Sequence, residues 1–141
     1  MRNLILVIAT SALISVNVNG QASKNVPANV KTAFSQKFSK ATEVKWGKEG
    51  KTEWEAEFKM DGKSYSANFD NKGAWMETEY SITASEIPAT VKSAIAKDYA
   101  GYKMKVSEIS ETKKGKVFDF ELVKDKKNTE VAFDAIGKII K

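Results

Sequence analysis

The sequence has 141 residues, a formal net charge of +5, no histidine and no cysteine. The absence of these two residue types excludes most nucleophilic triads, thiol chemistry, and zinc or haem ligation. The basic excess is mild and spread along the chain, without a concentrated stripe interleaved by aromatic residues, so we expect no nucleic-acid partner.

Residues 1–20 have the pattern of a secretory signal peptide. Arg2 precedes an apolar run over residues 4–18, and small residues follow it. We expect cleavage after Gly20, with Ala22 as the alternative position. The run is shorter than the roughly 20 residues that a membrane-spanning helix needs, so we expect no membrane span after cleavage. The pattern predicts a periplasmic or extracellular protein that folds without disulfides.

The remaining sequence contains two similar segments. Residues 26–34 match residues 87–95, since every position is identical or similar. Further along, residues 54–58 match 118–122, residues 69–70 match 133–134, and Gly73 matches Gly137. A chance match would not keep these landmarks in order. We therefore predict a tandem duplication, with a first repeat over residues 24–80, a linker over 81–86 and a second repeat over 87–141.

Each repeat begins with an amphipathic helix. Apolar residues recur at helical spacing from Val26 to Phe38 and from Ile87 to Tyr99. Pro27 and Pro88 suit the first helical turn, where a backbone donor would be unpaired anyway. Asn25 and Ser85 lie just upstream and are candidate caps.

Four antiparallel strands are predicted after each helix, since apolar and polar residues alternate there with a period of two. Asp61-Gly62 is a two-residue hairpin turn, because both residue types tolerate positive φ. The predicted strands cover residues 44–46, 53–59, 64–70 and 74–79 in the first repeat and 105–109, 117–124, 129–134 and 138–141 in the second.

These elements predict an α+β fold of two tandem α-β4 repeats, in which both helices pack on one face of an antiparallel sheet and the other face is open. Packing both helices on a joined sheet would bury all apolar stripes in one core. The sequence leaves open whether the two four-stranded sheets join.

The landmarks of each repeat resemble a known family. A Val/Ile-Pro pair opens each repeat at Val26-Pro27 and Ile87-Pro88, and a Phe-Asp-x-x-Gly pattern closes it at residues 69–73 and 133–137. This pattern is similar to the PepSY-like domains of secreted bacterial proteins and, in doubled form, to β-lactamase-inhibitor-like folds. The resemblance covers residues 24–141 and implies a non-enzymatic periplasmic or extracellular module with no catalytic residues to carry over.

Two groups of residues are candidates for catalysis or metal binding. Glu53, Glu55 and Glu57 project from one face of a strand, with neighbours about 6.6–6.8 Å apart, which is within the range of an inverting glycosidase pair. Alternating charges on the solvent side of a strand are ordinary, however, so we expect no enzyme. The segment 70–73 could suggest a calcium loop, but Lys72 occupies a ligand-spaced position and a hairpin turn is the better interpretation. We therefore expect no metal and no cofactor.

The open face of the sheet is the predicted partner-binding surface. Its candidate residues are Glu53, Glu55, Glu57, Lys59, Trp75, Met76, Asp119 and Glu121. Because neighbouring residues of a strand point to opposite faces, one of Trp75 and Met76 is expected on the open face, where interfaces favour such residue types.

Two functions are compatible with these features. The first is a monomeric binding or regulatory module that contacts a protein or peptide through the open face, with inhibition of an enzyme as one form of it. The alternative is a small-ligand carrier or sensor with an aromatic pocket between helices and sheet, drawn from Trp46, Trp54 and Trp75.

Overall fold

The computed structural model describes residues 25–140, so the predicted signal peptide and its cleavage site lie outside the described residues. Two helices and seven strands follow one another along the chain: α1 (Ala28–Lys37), β1 (Thr42–Glu49), β2 (Glu53–Met60), β3 (Lys63–Asp70), β4 (Trp75–Ser81), α2 (Ala89–Asp98), β5 (Lys103–Thr112), β6 (Gly115–Lys124) and β7 (Lys127–Asp134). No helix among the described residues is long and apolar enough to cross a membrane.

All seven strands form one antiparallel sheet in the order in which they occur along the chain. β4 pairs with β5 from Glu77↔Thr112 to Ser81↔Glu108, and this pairing joins the strands of the two predicted repeats. The α+β fold is confirmed, and the question of whether the sheets join is answered.

The last strand predicted, over residues 138–141, is not formed as a strand. Only an isolated bridge between Phe133 and Ile139 follows β7. Two backbone hydrogen bonds flank this bridge, from Asp134 N to Lys138 O at 3.0 Å and from Ile140 N to Ala132 O at 2.9 Å.

Each helix starts one position later than the sequence predicts. Pro27 and Pro88 are the N-cap residues rather than members of the first helical turn, with φ and ψ of −56° and 143° and of −56° and 145°. Their carbonyls accept from Lys31 N–H and Lys92 N–H at 3.1 and 2.9 Å. Neither N-cap position has a side-chain hydrogen bond, so the capping predicted from Asn25 and Ser85 is wrong.

Both helices cover the same face of the sheet. Directly opposed residues form a continuous row on that face, running Phe58, Tyr65, Tyr80, Ile109, Phe118 and Phe133. The buried side chains fall into two clusters instead of the single core that was predicted. One contains Val30 and Phe34 of α1, and the other contains Val91 of α2.

The Phe-Asp-x-x-Gly pattern forms the same turn in both places. Asp70 Oδ1 accepts from the backbone N–H groups of Lys72 and Ala74, each at 2.8 Å. Asp134 Oδ1 accepts from Ile136 N and Lys138 N at 3.1 and 2.9 Å. This oxygen is engaged in organising a turn, as aspartates at such positions commonly are.

Candidate functional site

The helix-free side of the sheet is the candidate site, and the strand register defines it. Since side chains alternate between the two faces of a strand, the residues on either side of the row from Phe58 to Phe133 point away from the helices. One such row runs through Glu57, Ser66, Glu79, Ser110, Val117 and Asp134. We call this side the open face.

Carboxylates dominate the open face. Besides Asp70 and Asp134, which organise turns at its edge, strand register places the following acidic residues on it: Glu49, Glu53, Glu55, Glu57, Glu77, Glu79, Glu108, Asp119, Glu121 and Glu130. Lysines are fewer there, and those that the register places on this side are Lys45, Lys59 and Lys103. The face is therefore acidic although the chain as a whole carries a net positive charge.

The three glutamates of β2 form the centre of the first half of the face. Their opposite partners on β3 are Asp70 for Glu53, Asn68 for Glu55 and Ser66 for Glu57. Burial raises the pKa of the Glu55 carboxyl above its usual range, the charges of Glu49 and Glu57 raise it further, and a hydrogen bond with Ser66 partly opposes these effects. Within residues 25–140, neither Glu53 nor Glu57 forms an ion pair.

Lys59 lies at the end of this row, on the open face. It is directly opposite Thr42 on β1 and Ser64 on β3. Its Nζ lies 2.8 Å from Glu43 Oε2, and both side chains are largely exposed. Glu43 itself has φ of 53° and lies where the β1–β2 register shifts. The Lys59 ammonium group therefore lies at the outer corner of the face, away from the middle of the glutamate row.

Asp119 and Glu121 of β6 lie on the same face but in its second half. Asp119 is directly opposite Glu108 and Ala132, and Glu121 is directly opposite Val106 and Glu130. Lys105 Nζ lies 2.9 Å from Glu121 Oε1. Four strand spacings separate β6 from β2, which is about 19 Å. The two predicted groups thus share one surface without touching.

Trp75 does not lie on the open face. The β3–β4 register shifts so that Asn68 is opposite Glu77 and Phe69 is opposite Trp75, which leaves Met76 unpaired between them. Trp75 packs against the α1 cluster, its Nε1 donates to Thr78 Oγ1 at 2.9 Å, and Lys37 Nζ lies 3.8 Å from its ring centroid. Met76 is 40% exposed. A bulge of this kind interrupts the alternation of side chains between the two faces, so the positions of Trp75 and Met76 do not follow from simple alternation.

The other two tryptophans lie inside the α1 cluster, 7% and 6% exposed. The Trp46 ring meets the Phe34 ring at 5.2 Å between centroids in an edge-on arrangement. Trp54 Nε1 donates to Asn71 Oδ1 at 2.9 Å. These indoles pack as core residues, the arrangement that large aromatic side chains commonly adopt between a helix and a sheet.

Some acidic residues of the open face were not identified from the sequence. The first predicted strand ends at residue 46, but β1 extends through Glu49 and places it opposite Glu53. Glu77, Glu79 and Glu108 take part in the β4–β5 pairing. The alternation of Glu77 and Glu79 with Thr78 and Tyr80 was the available signal. Among the described residues, no group of three or more acidic side chains is arranged to hold a metal ion.

The fold and the site define a small α+β protein whose sheet is covered on one side and acidic on the other. Residues 52–141 match the family model described as "Putative beta-lactamase-inhibitor-like, PepSY-like". The chain belongs to this PepSY-like family. No functionally curated protein matches the sequence.

Solved structures from Bacteroides share the fold. A DUF2874 family protein from Bacteroides uniformis superposes with a TM-score of 0.76 at 23% identity, covering 82% of this chain and 86% of that one. A BLIP-like protein from Bacteroides fragilis gives 0.74 at 20% identity, with 82% and 83% covered. A protein from Bacteroides eggerthii, described as a putative periplasmic protein, gives 0.76 at 18% identity, with 82% and 86% covered.

Proposed function

We propose that this protein is an exported, non-enzymatic binding module that contacts a protein or peptide partner through its open face. The observation that carries the proposal is the one-sided packing of the sheet, because both helices and both apolar clusters lie on a single side. The other side presents rows of mostly polar and charged side chains on a continuous sheet. Because such a surface is already formed before binding, little free energy is lost in ordering it.

Membership in an inhibitor-like family and the residue composition both support a non-catalytic role. The glutamates of β2 are the strongest remaining candidates for chemistry. They follow one another along a single exposed strand instead of facing each other across a cleft, as the two carboxyl groups of a glycosidase do. A finer form of the proposal is that the partner is an enzyme that binding inhibits.

We further propose that the chain arose by tandem duplication and that it acts in the periplasm. The matched turns at Asp70 and Asp134 and the matched helix starts at Pro27 and Pro88 support the duplication. The signal-peptide pattern of residues 1–20 supports export. The description of the Bacteroides eggerthii relative as periplasmic agrees with this location.

The proposal is tested by blocking the open face with a bulky neutral side chain. Ser66 lies at its centre between Glu57 and Glu79, so Ser66→Tyr obstructs the face without changing its charge. Ser93→Tyr on the exposed side of α2 is the matched control. Both variants and the parent protein are used as baits in periplasmic extract, and each captured protein is then purified and its affinity measured.

We expect a partner whose affinity is lost with Ser66→Tyr and kept with Ser93→Tyr. Equal affinity for both variants would remove the open face as the binding surface. For the inhibitory form, the activity of a captured enzyme is measured with and without the module, and unchanged activity at saturation contradicts it.

A further inference from the structure

Charge is unevenly distributed over this molecule. The chain carries 23 basic and 18 acidic side chains, yet carboxylates outnumber lysines on the open face. Lysines lie instead on the helices, as Lys31 and Lys92 do, and in the turns, as Lys113 and Lys126 do. The open face is therefore negatively charged although the whole chain has a net positive charge.

The acidic residues of the open face are also placed against one another. Glu49 is directly opposite Glu53, Glu108 is opposite Asp119, and Glu121 is opposite Glu130. Side chains at directly opposed positions lie about 4.5–5.5 Å apart at Cβ, and like charges there destabilise a sheet. Burial raises the pKa of Glu55, and the nearby charges of Glu49 and Glu57 raise it further. Glu121 is also paired with Lys105, so the repulsion is partly offset in the second half of the face.

Lysines on or beside the face do not neutralise its first half. Lys59 pairs with Glu43 and Lys105 pairs with Glu121, so both are bound near the margins of the face. Lys45 is opposite Glu57 on the edge strand, but among the described residues these two side chains form no ion pair. Among the described residues no lysine forms an ion pair with Glu53 or Glu57, so these carboxylates are open to a cation of another molecule.

We propose that the open face recognises a basic partner, an extended protein segment that carries lysine or arginine at alternate positions. This inference rests on the proposed function and names the chemistry of its partner. Glu53, Glu55 and Glu57 repeat every two residues along β2, about 6.6–6.8 Å apart, and the same-side residues of an extended peptide have the same spacing. Each cation can then meet one carboxylate, which sets register and favours association.

The test uses two fluorescent peptides of about ten residues, one alternating Lys and Ser and the other alternating Glu and Ser, with the purified protein at about 50 mM NaCl. Glu53/Glu55/Glu57→Gln removes three charges from the open face. Asp61/Asp98/Asp125→Asn removes three charges elsewhere and is the matched control, because Asp61 and Asp125 have positive φ that asparagine tolerates. Circular dichroism confirms that both variants are folded.

We expect the lysine peptide to bind the parent protein and the control within about twofold of each other. The glutamine variant should bind it at least about tenfold more weakly, since three ion pairs at exposed or half-buried glutamates each contribute modestly. The acidic peptide should not bind. Equal weakening by the two triple variants, or equal binding of the two peptides, overturns the inference.

The two proposals fail in different ways. If Ser66→Tyr abolishes binding of a partner while the glutamine variant binds the lysine peptide as the parent does, the open face remains the binding surface and its preference for a basic partner is wrong. If Ser66→Tyr also leaves partner affinity unchanged, the proposed function itself is wrong.

Discussion

At the scale of single residues, the charged form of Glu86 stabilises the fold and the charged form of Glu55 destabilises it. Glu86 accepts from Lys63 Nζ at 2.5 Å and from Thr83 N and Oγ1, each at 2.9 Å, and these bonds lower its pKa to about 2. Its stabilising effect is therefore complete above its usual pKa of 4.5 and is lost as the pH falls through about 2. Glu55, whose pKa is raised, opposes folding when it is charged.

Replacing Glu55 by glutamine should stabilise the protein at neutral pH. A carboxyl whose pKa is raised on folding binds its proton more tightly in the folded state, so stability falls as the pH rises through its titration range. Glu55→Gln removes the charge and keeps the shape, so its midpoint of urea unfolding should exceed that of the parent protein at pH 7. The gain should vanish at about pH 3, where the parent carboxyl is protonated. A gain of equal size at both values of pH would contradict the electrostatic explanation.

At the scale of elements, each helix begins against a turn that only glycine can form. Gly73 and Gly137 have φ of 82° and 84°, and a Cβ added to them would lie 2.9 Å from Asn29 O and 2.7 Å from Thr90 O. Asn29 and Thr90 also reach the same turns through hydrogen bonds to Asn71 O and Ala135 O, at 3.1 and 2.9 Å. The Phe-Asp-x-x-Gly pattern therefore docks the first turn of a helix onto the end of a strand.

Replacing Gly137 by alanine should cost more stability than replacing Gly62. Both residues have positive φ, so each change costs about 1–2 kcal/mol for the backbone conformation alone. A Cβ at Gly62 would meet nothing within 4 Å, whereas a Cβ at Gly137 would collide with Thr90. We expect Gly137→Ala to lose at least about 1 kcal/mol more in the free energy of urea unfolding. Equal losses would show that the turn can move away from α2.

Local sequence patterns predict the buried face of most helices and strands, but they do not predict it at the bulge between β3 and β4. The helical stripe through Val30 and Phe34 and the alternation of Trp54, Ala56 and Phe58 each determine one buried face, and the structure buries these side chains. The face of Trp75 depends on the shifted register between β3 and β4, and this shift has no signature in the alternation of either strand.

At the scale of the whole molecule, one sheet connects two separate apolar clusters. Tyr65 and Tyr80 bring their ring centroids within 5.1 Å, and Tyr80 is directly opposite Ile109, so side-chain contact continues across the junction. All three tryptophans belong to the α1 cluster or pack against it. Tryptophan fluorescence therefore reports on the first half of the protein, whereas far-ultraviolet circular dichroism reports on both halves.

A cavity in the second cluster should lower the urea midpoint that the tryptophans of the first cluster report. Phe133 is fully buried beside Phe120 and Tyr99, so Phe133→Ala should cost about 3–5 kcal/mol. Because the sheet is continuous, we expect the urea midpoint to fall equally by fluorescence and by circular dichroism. An unchanged fluorescence midpoint with a biphasic dichroism curve would show that the halves unfold independently.

The composition of the open face could be predicted only in part. The residues of β2 follow from the pattern of a single strand, and those of β6 follow from the similarity between residues 54–58 and 118–122. The join between β4 and β5 depends on a pairing between residues on either side of α2, such as Tyr80 and Ile109. No local pattern encodes that pairing, so the continuity of the acidic surface became visible only in the assembled sheet.

The order of the strands has a consequence for how the chain folds. Every strand pairs with the strand that precedes it, so most of the sheet closes over short loops, and only the β4–β5 pairing must wait for a helix to be bypassed. A pairing that closes over a short loop loses less chain entropy than one that closes over a long loop. A chain that emerges from its amino end could therefore complete the hairpins of β1 to β4 before the last strands become available.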